Sequence, residues 1–435
     1  MKPIIEALRN GFLFLDGANG TQLHLHDLPK SIHPEQYNLT HPETIVAVHK
    51  GYLNAGANAV SAFTFGAYSH KMDNVAEVIA AAMANARKAI TDSGRTDCFI
   101  GMDLGPTGKL LEPVGDTPFD VVYNIFKETA MLGAKNGADF VLLETMLDSY
   151  ECKAAILAVK ENTDLPVFCS MTYEKNGRTL TGGTPLSSIV LLEALGADAI
   201  GVNCGAGPDF AAKIAAELVK HASVPVLVQP NAGLPIMVEG KEHPVFDLSP
   251  ADYARDMTVI AQSGARLLGG CCGTTPAHIR ALAAACAGLT PPPLVKKDAI
   301  RISTGGECLL WDDAASAERG AISAENDNVL TALQENDMFE IADLAIECKG
   351  DEVELLSVRL GADGVDEAAV MKNVINAIQQ VAAIPMQIET DNLAALEIAL
   401  RTINGVAAVK LLSGDAALAE GAKTLLARYG GVLAE

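Results

Sequence analysis

Long hydrophobic runs are missing from this chain of 435 residues. No stretch approaches the ~18 consecutive apolar residues that a membrane-spanning helix needs, so no membrane association is expected. Basic clusters are missing as well. Lys and Arg number 32 against 54 Asp and Glu, a net charge of −22. A surface of that sign repels phosphate, which argues against nucleic acid or anionic lipid as partners. The first residues, "MKPIIEALRNGFLFLDG", contain no apolar core with a small-residue cleavage site. No signal peptide is expected, and a cytoplasmic location follows. No G-x-G-x-x-G opens a helix, and there is no phosphate-binding P-loop, no HExxH and no serine nucleophile elbow. Nine cysteines, an odd number, are scattered through the chain. That pattern suits reduced or metal-bound thiols better than a disulfide framework.

What is present is an apolar half and a repeated grammar. "AGANAVSAFT" (55–64), "NGADFVLLET" (136–145), "LGADAIGVNC" (195–204) and "SGARLLGGCC" (263–272) each pass from a helical pattern through Gly-Ala into a short apolar run. Glycine just beyond a helix is the expected terminator, and the run reads as a strand buried on both faces. "LPVFCSMT" (165–172) and "VPVLVQP" (224–230) put proline just before a strand. With "FLFLDG" (12–17) and "CFIGMDLG" (98–105), eight strands are expected between 12 and 270. Helix-length segments separate them, as in 209–222, where Phe210, Ile214, Leu218 and His221 share a face. Eight βα units match an α/β fold of the (β/α)8 TIM barrel type, with a doubly wound open sheet as the alternative. Small and polar residues follow nearly every strand, as the mouth of a barrel requires. We therefore expect a barrel over 1–287, a proline-rich linker over 288–300 around "GLTPPPLVKK", and a smaller α/β domain over 301–435. That last part carries roughly −14 of the −22 charges. It holds about four or five βα units, too few to close a barrel and enough for an open parallel sheet.

Three cysteines stand apart from the rest. Cys169, Cys286 and Cys348 fall on apolar strand or helix faces and read as packing residues. Cys204, Cys271 and Cys272 instead lie at the C-terminal ends of the sixth and eighth strands, on the side where barrel chemistry occurs. Three thiolates with one open position form a catalytic rather than a structural Zn²⁺ site. Gly269, Gly270 and Gly273 are expected to permit positive φ and leave room for metal and substrate. A three-thiolate Zn²⁺ centre is a poor Lewis acid for hydrolysis and well suited to hold an incoming thiolate as a nucleophile. The implied chemistry is alkylation of a bound thiol. The nine histidines are dispersed. His24 and His26, near the first strand end, read as surface or packing residues for want of a legible carboxylate partner.

The stretches "FLDGANGT" (14–21), "TFGA" (64–67), "GPTGKLLEP" (105–113), "LLET" (142–145), "GVNCGAGP" (201–208), "QPNAGLP" (229–235) and "GGCCGTTP" (269–276) occur together and in order. In this the chain resembles the homocysteine S-methyltransferase family, and within it the N-terminal module of cobalamin-dependent methionine synthases. The likeness covers about residues 5–287. It implies a zinc-bearing barrel with Cys204, Cys271 and Cys272 as ligands and the thiolate of homocysteine as the fourth. It also implies a cradle for the amino acid end of homocysteine. Glu144 and Asp16 would pair with the α-ammonium. The N–H groups of Gly17, Ala18 and Gly20 would meet the carboxylate. Asn203 and Thr145 would add neutral hydrogen bonds. Asp16 has a turn-capping role as its alternative, and Asp148 is expected to cap the next helix. Phe63 stands where the family usually has Asn.

The stretches "LLSVRLGADGVDEAAVMKNV" (355–374) and "IPMQIETDN" (384–392) resemble the start of the pterin-binding barrel of the same enzymes, in partial and degenerate form. Arg359 and Lys410 occupy positions that usually contact pterin, so no folate binding is expected. A half barrel leaves sheet edges open, and pairing with a second copy or docking of a corrinoid protein is the expectation. No cobalamin-binding region is legible. The methyl donor is expected to be methylcobalamin on a separate protein, with S-methylmethionine or a betaine-like ammonium as alternatives. The single tryptophan, Trp311, lies outside the barrel, which speaks against the aromatic cage a betaine would need. Methylation of another thiol or selenol, and a non-catalytic zinc- or thiol-binding scaffold, are the rival readings.

Overall fold

Gly56, Gly137, Gly196 and Gly264 follow the ends of four helices with φ of 109°, 83°, 78° and 127°. This left-handed terminator turns each helix back into a strand, as the repeated Gly-Ala grammar predicts. The computed structural model describes residues 3–434 apart from His24, Asp27, Leu28, Lys30, Lys241 and Glu242. The expectation for His24 therefore lies outside the described residues. His26 is exposed, as expected.

Eight strands build one parallel sheet: β1 (Leu13–Phe14), β2 (Ala59–Ser61), β3 (Phe99–Leu104), β4 (Phe140–Met146), β5 (Val167–Met171), β6 (Ala199–Cys204), β7 (Val226–Pro230) and β8 (Leu267–Leu268). Their order is β1-β8-β7-β6-β5-β4-β3-β2. Asn58 bridges the remaining seam. Its N–H donates to Phe14 O (2.8 Å), and its Oδ1 accepts from Phe14 N (2.8 Å). The result is a (β/α)8 barrel, not a doubly wound sheet.

The inward-facing residues follow the strand period of two. Leu13, Leu15, Ala59, Phe140, Leu142, Phe168, Ala199, Leu227 and Leu267 fill the lower interior, closed from below by Ile4 and Leu8 of the helix Pro3–Asn10. Burying each Leu or Phe contributes roughly 1.5–3 kcal/mol. In the same register but nearer the C-terminal ends, the inward positions turn polar: Asp103, Glu144, Ser170, Asn203 and Gln229. The barrel is thus an apolar plug under a polar floor.

Residues 289–300 carry no regular element. Beyond them β9 (Arg301–Thr304) pairs antiparallel with β10 (Cys308–Leu310). A five-stranded parallel sheet follows, made of β11 (Arg319–Ser323), β12 (Leu355–Arg359), β13 (Met386–Glu389), β15 (Ala408–Lys410) and β16 (Val432–Leu433). The short β14 (Gly405–Val406) crosses to pair antiparallel with β9. The sheet is open and parallel, as expected. Strand β11 and the β9–β10 hairpin escaped the sequence reading, because "RGAIS" and "RIST" lack a long apolar run.

This second unit lies against the barrel helix Ser149–Asn162, whose residues from Ser149 to Val159 are all buried. A helix covered on every side needs partners even for its polar groups. Lys153, fully buried, donates to Leu400 O (2.5 Å) and Ile403 O (2.6 Å) at the C-terminal end of the helix Leu393–Thr402. Burial lowers its pKa to about 7. Ser149 Oγ bonds Asn404 Oδ1 (3.0 Å) beside it. No described helix is long and apolar enough to cross a membrane.

Candidate metal centre and substrate cavity

The thiols of Cys204, Cys271 and Cys272 come together at the mouth of the barrel, each sulfur within 4.8 Å of the other two. Local backbone geometry makes this possible. Cys204 ends β6 in the left-handed region (φ 58°), and Gly205 continues there (φ 68°). A non-glycine residue in that conformation is strained, and such strain gathers at functional sites. Tertiary hydrogen bonds fix the adjacent cysteines. Cys271 N donates to Pro230 O (2.9 Å), Ala232 N to Cys272 O (2.9 Å) and Gly270 N to Asp16 O (3.0 Å). Thr274 Oγ1 donates to Cys271 O (2.7 Å).

The glycines of this loop serve differently from expectation. Only Gly273 has positive φ (79°). Gly269 and Gly270 are needed for closeness: a Cβ there would come within 2.8 Å of Leu15 Cβ and 2.4 Å of Thr274 Oγ1 respectively. The unusual turn falls at Cys204–Gly205.

Hydrogen bonds from Cys271 and Cys272 pull the Cys204 thiol down to about 3. The contact with Cys204 pushes Cys271 up, and Cys272 up to about 12. A bound soft dication would displace the thiol protons. The donor set therefore fits Zn²⁺: sulfur only, already gathered, partly exposed, and one ligand short of a tetrahedron. Asn231, 4 % exposed, hydrogen-bonds Cys204 and helps hold its charge.

Below and beside the thiols is a cavity of about 340 Å³, lined by Gly17, Ala18, Gly20, Phe65, Gln229 and the three cysteines, and by the carboxyls of Asp16, Glu35, Asp103 and Glu144. Burial raises Asp16 to about 7, partly offset by its hydrogen bonds. Burial, then Asp16 and Cys204, raises Glu144 to about 8. Asp103 is raised by burial, then by Glu144, Asp16 and Glu35. A buried pocket crowded with acids is short of positive charge.

The remaining expected site residues fall as follows. Asp16 Oδ2 accepts from Ser61 N (2.9 Å) and Oδ1 from Ser61 Oγ (3.0 Å), so the carboxylate is tied across to β2. Asn19 Nδ2 adds a longer contact at 3.4 Å. The Ala18 N–H is taken by Thr274 Oγ1 (3.1 Å). Asn203 is fully buried and lies behind Thr145. Its Oδ1 accepts from Thr145 N (2.8 Å) and Ser170 Oγ (2.9 Å), and its Nδ2 donates to Thr145 Oγ1 (2.9 Å). Thr145 itself has φ 59°, so Asn203 clamps a left-handed turn that presents Thr145 to the cavity. Asp148 caps the helix Ser149–Asn162, accepting from Tyr150 N (3.0 Å), as expected.

The family model described as homocysteine S-methyltransferase matches residues 13–286, well over half the chain. The chain belongs to the homocysteine S-methyltransferase family. Two mycobacterial proteins named methionine synthase are similar along 98 % of this chain, at 30 % identity for Mycobacterium tuberculosis and 29 % for Mycobacterium leprae. The chain spans 38 % of the length of each. The likeness therefore runs through the second unit as well as the barrel. Among solved structures, the homocysteine methyltransferase MmuM from Escherichia coli is similar in fold. Its apo form gives a TM-score of 0.51 at 24 % identity, covering 65 % of this chain and 99 % of that one. Its metallated form gives 0.52 at 22 %, with the same coverage.

For this family member, the sequence offers Gln229 and Asn231 only as part of the stretch "QPNAGLP" and gives no role to Asp103 or Ser61. Asp103 had a signal. In "FIGMDL" it follows Phe99 and Gly101 at every second position, so an acid stands on the inward face of a strand that is otherwise apolar there. Ser61 carries no such mark, since its role depends on Asp16 lying opposite.

Proposed function

We propose that this chain transfers a methyl group to the thiolate of homocysteine, giving methionine, at a Zn²⁺ centre held by Cys204, Cys271 and Cys272. The observation that carries this reading is the gathering of three thiols, open on one side, over an acid-lined cavity. Bound Zn²⁺ would lower the pKa of an incoming thiol and hold its sulfur as a thiolate. The chain's own residues supply the rest. Asp16, Asp103 and Glu144 offer negative charge to an α-ammonium. Thr145, held by Asn203, offers a hydroxyl and a fixed wall. Phe65 and Phe63 keep water from the apolar stem of the substrate. The sulfur–methyl bond forms as the donor–methyl bond breaks, and the sulfur keeps its orientation because both ends of the substrate are held.

We further propose that the barrel occupies 1–287 and the second unit 301–435, joined by 288–300. The donor in this reading is methylcobalamin carried by a separate corrinoid protein, and the likeness to proteins named methionine synthase supports methionine as the product. A cytoplasmic location suits nine reduced thiols. The test is metal analysis of the purified chain, followed by methyl-transfer assays with methylcobalamin, S-methylmethionine and betaine against homocysteine. One equivalent of zinc and methionine formation with methylcobalamin support the proposal. Zinc without transfer from any donor favours a thiol-binding scaffold.

A further inference from the structure

Apart from the cavity at the thiols, a second one of about 320 Å³ lies in the seam between the barrel and the second unit. The barrel side contributes the loop after β3, the turn after β4 and the loop after β5. The other side contributes the β9–β10 turn and the start of β13. The seam is tied at several points around this space. Lys153 reaches Leu400 O and Ile403 O, Ser187 Oγ donates to Gly305 O (2.9 Å), and Lys372 pairs with Glu112 (3.7 Å). Two units held this firmly still leave a gap of ligand size, and junctions between domains are where small-molecule sites gather.

The lining has three chemical parts. Leu111, Ile384, Met386 and Ile403 are buried and form an apolar wall. Arg178 is exposed, and among the described residues its guanidinium pairs with no carboxylate; Nη1 donates to Gly182 O (2.8 Å). Glu307 is exposed and likewise in no ion pair among the described residues, and Asp148 adds a buried carboxyl. A plain anion would meet Glu307 and Asp148. A plain cation would meet Arg178. A ligand with one carboxylate, one ammonium and an apolar tail suits all three parts at once.

We infer that this inter-unit cavity is a second binding site, for an α-amino acid with an apolar side chain, with Arg178 taking the carboxylate and Glu307 and Asp148 the ammonium. The site is separate from the metal centre, and methionine, the product proposed above, has the required form. The turn Thr145–Asp148 runs between the two cavities: Thr145 lines the one at the thiols and Asp148 lines this one.

L-Norleucine is the probe, because it has that form and carries no sulfur for a metal. Hexanoate is the same molecule without the ammonium, and pentylamine the same without the carboxylate. Binding of each to the full-length chain, with zinc supplied, is measured by calorimetry. Norleucine should bind at least about tenfold more tightly than either fragment. Arg178→Leu removes the guanidinium, and Ala383→Trp fills the cavity from an exposed wall position. Each should weaken norleucine binding at least about tenfold and leave homocysteine binding within about twofold. Melting temperatures should stay at the wild-type value, since both positions are exposed. Norleucine binding that is absent, matched by either fragment, or unmoved in both variants overturns the site, and so does an equal loss of homocysteine binding. Norleucine binding that responds to the variants in a chain that does not bind homocysteine upholds this site and sinks the homocysteine reading instead.

Discussion

Cys204 carries two burdens at once, a metal-binding sulfur and a left-handed backbone at φ 58°. Replacing it with Ser keeps the size and removes the soft donor. Cys204→Ser should lose bound zinc and more than about 100-fold in methyl transfer, with the fold intact by circular dichroism. Asn203 acts one step removed from the cavity. Asn203→Ala deletes the acceptor of Thr145 N and the donor to Thr145 Oγ1. It should raise the KM for homocysteine roughly tenfold while zinc content is unchanged, since it loosens a wall and not the metal. Zinc loss on that substitution would show that Asn203 supports the cysteines instead. The contrast between these residues also marks what was legible. A cysteine at a strand end announces itself by type and place. A second-layer asparagine such as Asn203 is visible as polar, but whether it meets substrate or protein depends on what lies opposite.

At the scale of elements, two junctions matter most. Strands β6 and β7 approach closely enough that a Cβ on Gly201 would lie 2.1 Å from Leu227 O. Gly201→Ala should therefore destabilise the protein by more than about 2 kcal/mol, read as a shift in the urea midpoint, because backbone must move to make room. The second junction is the helix Ser149–Asn162 against the helix Leu393–Thr402. Lys153→Ala leaves the carbonyls of Leu400 and Ile403 without their donor and opens the space of its stem. A loss of about 2–4 kcal/mol is expected, visible as a lowered melting temperature. Lys153→Met, which keeps the stem, should lose less. Residues 154–159 of that helix form an apolar run, which a sequence can register. That a lysine inside the helix serves another unit's helix end depends on residues ~250 positions away.

For the whole molecule, the buried acids govern the response to pH. Asp16 near 7, Glu144 near 8 and Glu151 near 7 all lie above their unfolded values of 3.8, 4.5 and 4.5. Native protein thus holds protons that the unfolded chain has released. Their contribution is fully present below about pH 4 and is lost as pH rises through 7–8. His49, buried and lowered to about 4, acts with the opposite sign between pH 6.5 and 4, where the unfolded chain gains the proton first. Metal-free Glu144→Gln should accordingly show a flatter decline in stability from pH 6 to 8 than metal-free wild type, measured by urea titration at each pH. A slope equal to that of wild type would mean that Glu144 is not the buried, proton-holding carboxyl described here.

The amino-acid sequence by itself determined the eight βα units, their glycine terminators, the open parallel sheet that follows, and the three cysteines at strand ends. Each of these is a local pattern: a period, a turn residue, or a residue type at the end of a run. Tertiary structure alone decided which acid is already satisfied, that Ala18 gives its N–H to Thr274, and that Cys204 and not the paired cysteines takes the strained turn. It also decided that Lys153 joins two units. These depend on which side chain meets which donor across the barrel. That meeting is set by strand register and by packing between residues far apart in the chain, and neither leaves a mark in local order.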